Sequence, residues 1–285
     1  MGRLPLLEDF PSNVILSIVP HSSASAISST TQLHHVCAHL RRELGPVAIE
    51  TNIRSDDAAP NNDPPTNVLV LLHGLGDTRD AFTHLGKQMS LPETVCISVQ
   101  GPHRLLDLGG FHWGDDIIFD SASGGLDVDA GFKQAVAMLK GLVVDDVIEK
   151  CGYKAREVFL LGFGQGGMAA LSVAVEMHQN FRDPASAELG GVISIGGPMP
   201  SESPPSLINK CKTPVLICAG IDQSSVTPTA ESRLNHVFEH VEVARYRKPG
   251  DSMPSNRDEM MPIMKFFSKR LRSTKGVPKG SVEIV

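Results

Sequence analysis

Residues 158–171 run Val-Phe-Leu-Leu-Gly-Phe-Gly-Gln-Gly-Gly-Met-Ala-Ala-Leu: a short apolar strand, a glycine-dense turn and the start of a helix. A strand without polar alternation is buried on both faces, so helices must cover it above and below. This one segment restricts the chain to layered α/β architectures. The rest of the sequence repeats the theme. Apolar or β-branched runs predict strands over 14–19, 47–53, 67–72, 95–99, 158–161, 191–195, 214–219 and 241–246. Between them Phe132, Val136, Leu139, Val143 and Val147 form a stripe at helical spacing, with Asp127 and Asp129 as expected caps. Helices are also predicted over 168–178, 230–240 and 258–271. Strand–helix alternation of this kind specifies a mainly parallel central sheet with helices on both faces.

The 285 residues are 41% hydrophobic and 20% charged, an ordinary globular composition large enough for one α/β domain. A net charge of −6 excludes the basic footprint of a dedicated nucleic-acid binder. Basic residues do gather late (Lys265, Lys269, Arg270, Arg272), where they read as a solvated helix end. Five scattered cysteines without a C-x-x-C pair read as reduced core thiols, so a cytoplasmic location is expected. The N-terminal sequence has neither a signal-peptide pattern nor a myristoylation site, and no apolar run reaches the ~18 residues of a membrane span. Residues 1–60 are expected to form an N-terminal extension, with a helix over 30–44 and a polar, proline-rich loop. Residues 61–273 then form the single domain, and 274–285 a disordered tail.

The turn after the strand at 158–161 has the layout of the nucleophile elbow Gly-x-Ser-x-Gly, in which a serine hydroxyl is pushed into an active site. Its central position here is Gly164, which carries no nucleophile. Upstream, Val-Leu-Leu-His73-Gly74-Leu75-Gly76-Asp77 follows another buried strand, and its glycines free the backbone to turn N–H groups inward. The amides of Leu75 and Gln165 are the natural pair of oxyanion donors. A tight strand-to-loop turn would need the same glycines. His73, Gly74, Trp113 and Asp115 are the candidate lining of a ligand groove. Trp113, the only tryptophan, equally suits pinning its glycine-rich loop to the core.

Together these segments resemble the acyl-protein thioesterase and carboxylesterase branch of the α/β-hydrolases. The matching stretches are Leu-His-Gly-Leu-Gly-Asp (72–77), Phe-His-Trp-Gly-Asp-Asp (111–116), Gly-Phe-Gly-Gln-Gly-Gly-Met (162–168), Ile-Ser-Ile-Gly-Gly (193–197), Pro-Val-Leu-Ile-Cys-Ala-Gly (214–220) and Glu-Met-Met (259–261). They run in order over about residues 67–272. The resemblance implies the α/β-hydrolase fold and a substrate class of acyl thioesters and carboxylic esters. It also implies where the triad would lie. The serine falls on Gly164, the histidine on Met253, and the acid on Gln223, or on Asp222 if the loop is one residue shorter. Independently of the family, the last of the eleven histidines is His240, inside a predicted helix, so no late histidine can complete a Ser…Asp…His order.

Three functions follow as expectations. In the first, the scaffold is a pseudo-enzyme that binds an acylated protein or a lipid-like molecule without turning it over. In the second, it is an active ester or acyl-thioester (palmitoyl-protein) hydrolase with relocated parts, using Ser121, Ser123, Ser252, Ser255 or Asp222. In the third, Gly162-x-Gly164-x-x-Gly167 with Glu188 is a dinucleotide fingerprint, although it lies mid-chain and Glu188 precedes its strand. His236 and His240, four apart, are expected on one helix face, and without a third ligand they do not indicate a metal. No cofactor or metal is implied, and the oligomeric state is not encoded in any of these patterns.

Overall fold

The computed structural model describes residues 16–19, 65–105, 109–120, 125–181 and 187–273. The strands β1 (Leu16–Val19), β2 (Asn67–Leu72), β3 (Thr94–Val99), β8 (Val158–Phe163), β9 (Gly191–Ile195), β10 (Val215–Gly220) and β11 (Val241–Tyr246) form one seven-stranded sheet. Their spatial order is β1-β3-β2-β8-β9-β10-β11, and all neighbours are parallel except β1, which runs antiparallel to β3. Two short ribbons stand apart from it: β4 (His103–Arg104) with β5 (Phe111–His112), and β6 (Phe119–Asp120) with β7 (Gly125–Leu126).

Among the described residues five α-helices flank the sheet. They are α1 (Arg79–Met89), α2 (Lys133–Gly141, continued as a wide π turn over Leu142–Lys150), α3 (Gln165–Asn180), α4 (Pro228–Val237) and α5 (Arg257–Arg270). Period-two alternation along each buried strand divides the core in two. Val68, Val70, Leu72, Val158 and Leu160 face a cluster that includes Leu139, Leu142 and Val147 of the α2 segment, Leu171 and Val173 of α3, and Leu234 of α4. Leu69, Leu71, Phe159 and Leu161 face the other way, onto Phe82 of α1 and Ile263, Phe266 and Phe267 of α5. Helices thus cover both faces, as the solidly apolar strands require.

The chain runs outward from β2 to β3, then returns to the other side of β2 as β8 and continues outward through β11. The switch point lies between β2 and β8, where open α/β sheets leave a crevice beyond the carboxyl ends of the strands. Those ends lead directly into His73–Gly76 and Gly162–Gln165.

The strand expected over 14–19 is present as β1, which pairs antiparallel with β3 at the edge of the main sheet. Several expectations are corrected. Asp127 and Asp129 do not cap α2: Asp127 accepts from the Asp129 amide at 2.9 Å, and Asp129 from the Ser201 amide at 2.8 Å. The α4 helix ends at Val237, because the chain must turn to enter β11, so His240 lies outside it and shares no helix face with His236. Helix α1 and the two ribbons carry no pattern that the sequence reading used. The predicted strand over 47–53, the helix over 30–44 and the tail from 274 lie outside the described residues, as do Ser121 and Ser123.

Candidate active site

Gly164 is the residue on which the crevice turns. It precedes α3 with φ 51° and ψ −118°, a backbone conformation that L side chains rarely adopt. A Cβ built there meets nothing within 4 Å, so the position opens into free space. The surrounding glycines are different in kind. A Cβ at Gly162 would strike the Gly166 backbone at 2.2 Å, and one at Gly166 the His73 carbonyl oxygen at 2.5 Å. The β8–turn–α3 unit therefore packs backbone-to-backbone against the loop after β2.

That contact brings two amides to the same end of the crevice. In the loop after β2, the Gly76 amide donates to the Phe111 carbonyl at 2.9 Å and Asp77 to Gly74 at 3.2 Å. The Leu75 and Gln165 amides make no such bond among the described residues. Gln165 N–H is also a first-turn donor of α3, where the helix dipole favours negative charge. The two amides thus stand on the turns that leave the carboxyl ends of the adjacent strands β2 and β8.

Other candidates support the crevice from behind. His73 is fully buried and its imidazole is saturated: Nδ1 donates to the Gly74 carbonyl at 2.7 Å, and Nε2 accepts from the Gly101 amide and the Gln100 side chain, both at 2.8 Å. Burial holds its pKa below the ordinary imidazole value, so the ring stays neutral. It is a brace and does not line a groove. Trp113, also fully buried, donates its indole N–H to the His73 carbonyl at 2.8 Å. Pinning is its role here. The Gln165 side chain ties the same loops, accepting from the Trp113 amide at 3.1 Å and donating to the Val128 carbonyl at 3.0 Å. Gly74 is buried against the Phe163 ring. The Asp115 carboxylate accepts the Lys133 and Gln134 amides, each at 2.9 Å, and so caps α2 from a distance.

On the far side of Gly164, its amide donates to Ile195 O of β9 at 2.9 Å, and the Gly196 amide donates to Cys218 O of β10 at 2.8 Å. The loops after β10 and β11 are zipped together beyond this point. Ile221 N–H bonds the Lys248 carbonyl at 3.1 Å, and Gly250 N–H the Asp222 carbonyl at 2.9 Å. Asp222 and Gln223 are both exposed, with Gln223 held at φ 51°. The carboxylate of the zipped loops comes from Asp251, which the sequence reading passed over. Its Oδ1 accepts from the Ser224 hydroxyl at 2.7 Å and the Gly220 amide at 3.2 Å, and its Oδ2 from the Ser225 amide at 2.7 Å. No signal by motif spacing marks it, since it is supplied from the neighbouring loop. Met253 is half-buried against the α5-side cluster, and its carbonyl accepts from Lys248 Nζ at 3.0 Å. Lys248 also bonds Glu259 Oε2 at 2.6 Å, and the Ser255 amide donates to the same oxygen at 2.8 Å. These bonds, with the Asn256 cap of α5, fix the loop that carries Met253.

Of the described relocated-hydrolase candidates, neither Ser252 nor Ser255 hydrogen-bonds an imidazole. Ser252 is exposed, and the Ser255 hydroxyl donates to Glu259 at 3.1 Å. Glu188 stands before β9, at the opposite end of the parallel β8–β9 pair from the glycine turn, where it cannot serve a ribose there. Among the described residues no group of three metal-ligating side chains occurs, and no helix is long and apolar enough to cross a membrane.

Solved structures share this fold. Arabidopsis thaliana SOBER1 is 22% identical with a TM-score of 0.54, covering 72% of this chain and 99% of its own. Zea mays acyl-protein thioesterase 2 is 22% identical with a TM-score of 0.52, covering 75% of this chain and 97% of its own. At this identity they show a likeness of fold alone. A Schizosaccharomyces pombe protein named as an uncharacterized hydrolase is 32% identical over 212 residues, which is 72% of this chain and 83% of the relative. The family described as Phospholipase/Carboxylesterase matches residues 57–271. With its sheet, elbow turn and paired amides on the same scaffold, the chain belongs to the phospholipase/carboxylesterase family of α/β-hydrolases.

Proposed function

We propose that this family member holds an acyl ligand, either an acylated protein or a lipid-like molecule, without hydrolysing it. The observation that carries the reading is Gly164. The strained backbone of a nucleophile elbow is retained there, yet the space in front of it is empty of any side chain. Without a hydroxyl at that position no acyl-enzyme can form. Met253 stands where the family's base belongs, and a thioether cannot carry a proton near neutral pH as an imidazole does. What persists is the electrostatic half of the site, the Leu75 and Gln165 amides. Exposed apolar side chains, Ile117, Ile118 and Val128, lie within a few residues of the Trp113 amide and the Val128 carbonyl that the Gln165 side chain bonds. The four described cysteines are buried free thiols, which supports work in a reducing, cytoplasmic setting.

Loss of both nucleophile and base costs a triad roughly a millionfold, leaving about 10³–10⁴ over water from oxyanion donors and binding. The test is incubation of the purified protein with a fluorophosphonate probe and with palmitoyl-thioester and p-nitrophenyl butyrate substrates. No covalent adduct and turnover within that residual range are expected. Stoichiometric labelling, or turnover at the rates of a working esterase, would overturn the reading.

A further inference from the structure

Asp251 has no place in the family pattern, yet it is the best-anchored carboxylate beside the crevice. It accepts three hydrogen bonds, from the Gly220 amide at the end of β10 and from the Ser224 hydroxyl and the Ser225 amide on the loop that follows. A carboxylate offers about four acceptor positions, so Oδ2 keeps one lone pair. A Cβ at Gly196 would strike the Asp251 Cβ at 2.5 Å, which sets the residue directly on the chain leaving β9. The next residue of that chain, Gly197, lies against the Gly164 carbonyl oxygen, 2.4 Å from where its Cβ would be. Gly164, the 196–197 turn and Asp251 thus lie in contact across the carboxyl ends of β8, β9 and β10.

In a serine-hydrolase site the acid accepts the imidazole Nδ1–H, and by doing so fixes the tautomer and ties two loops together. Here the same two loops are tied by Asp251, with the carboxylate arriving from the loop that would carry the histidine. We propose that Asp251 is the site's surviving acid: a positioning carboxylate able to orient an imidazole at position 253, so that two side chains, not three, separate this chain from a working triad. The proposal rests on the reading of positions 164 and 253 as the vacated nucleophile and base positions. Gln223 and Asp222, exposed and outside this seat, are then irrelevant to it.

The chemistry follows from that arrangement. A hydroxyl introduced at 164 adds to an ester carbonyl carbon as its proton passes to the imidazole, and the alcohol leaves with that proton. Water then repeats the sequence to release the acid, while the Leu75 and Gln165 amides hold each oxyanion.

The test compares Gly164→Ser, Gly164→Ser/Met253→His, and the double variant with either Asp251→Asn or Gln223→Asp added, using p-nitrophenyl butyrate. The double variant should exceed Gly164→Ser in kcat. Asp251→Asn should then lower kcat on the order of 10²-fold with KM held, less than the ~10⁴ seen when an evolved triad loses its acid. Because the amide turns an NH2 towards one of the three donors, the melting temperature should fall as well, and the split of kcat from KM is the deciding measure. Gln223→Asp should add nothing. A double variant no faster than Gly164→Ser, or one indifferent to Asp251→Asn, would overturn the proposal. So would dependence on Gln223→Asp. Met253→His alone gives a reading that does not need the strained turn to accept serine. A far-downfield imidazole N–H proton resonance is expected, and it should vanish with Asp251→Asn; its absence, or its survival in that variant, also counts against the proposal. Turnover by the unmodified chain is a separate result that bears only on the non-hydrolytic reading.

Discussion

Two glycines two positions apart in the elbow are constrained by different physics. Gly164 has room for a side chain but a backbone that resists one, whereas Gly166 has the reverse problem, with the His73 and Leu72 carbonyl oxygens both 2.5 Å from where its Cβ would be. Gly164→Ala should therefore cost only conformational strain, about 1–3 kcal/mol. Gly166→Ala must separate α3 from the loop after β2, and because the obstacle is backbone it should cost more, abolishing cooperative folding or lowering the melting temperature well beyond the Gly164 variant. Thermal unfolding of the two variants side by side checks this, and equal losses would mean that Gly164 is also packed. The elbow itself was legible, since only a glycine-dense turn after an apolar strand gives that sequence. Asp251 was not, because its importance comes from three donors on another loop, and counting along one loop pointed to Gln223.

At the scale of elements, hydrogen bonds between loops replace the local caps that sequence reasoning looks for. Asp115 caps α2 from 18 residues away, while Asp127 and Asp129, at the expected distance, bond elsewhere. Helix α5 is the contrasting case, capped locally by Asn256, with Glu259 reaching back to Ser255 and Lys248. The Lys248 ammonium and the Ser255 amide hold the Glu259 carboxyl down at about 2, against an ordinary value of 4.5. The unfolded chain therefore binds a proton that the folded chain refuses between those values. The stabilisation is complete above about pH 4.5 and is lost as pH falls through about 2. Glu259→Gln should melt lower than the parent at pH 6, and the two curves should converge as pH is brought down towards 2. A gap between them that stays constant over that interval would show that the carboxylate charge is not what holds the loop.

For the whole molecule, the alternation along each strand made two faces predictable, and the faces are what the sequence read best. Strand runs that are apolar throughout can be placed only in a covered parallel sheet, whereas α1, a short and mostly polar helix, lays its few apolar side chains on β1, β2 and β3. The two faces share one sheet, and the cysteines divide between them. Cys96 and Cys218 lie in the α5-side cluster, and Cys151 and Cys211 in the other. All four are buried; burial pushes Cys96 up to about 12 and Cys218 to about 11, and raises Cys211 as well. Thiolate is the reacting form, so none should react with an aromatic disulfide at pH 8 until the sheet opens. Because both clusters contain alternate residues of β2, β3, β8, β9 and β10, neither face can come apart while the other keeps its strands. With Cys37, the fifth cysteine, which lies outside the described residues, replaced by Ser, the four described thiols should label in a single phase, with a rate that rises with denaturant in step with the loss of helical circular dichroism. Mass spectrometry of partly labelled protein reads the alternative directly. Modification of Cys96 and Cys218 ahead of Cys151 and Cys211 would mean that the α1–α5 layer lifts away by itself, and that the sheet is not the cooperative unit its alternating strands imply.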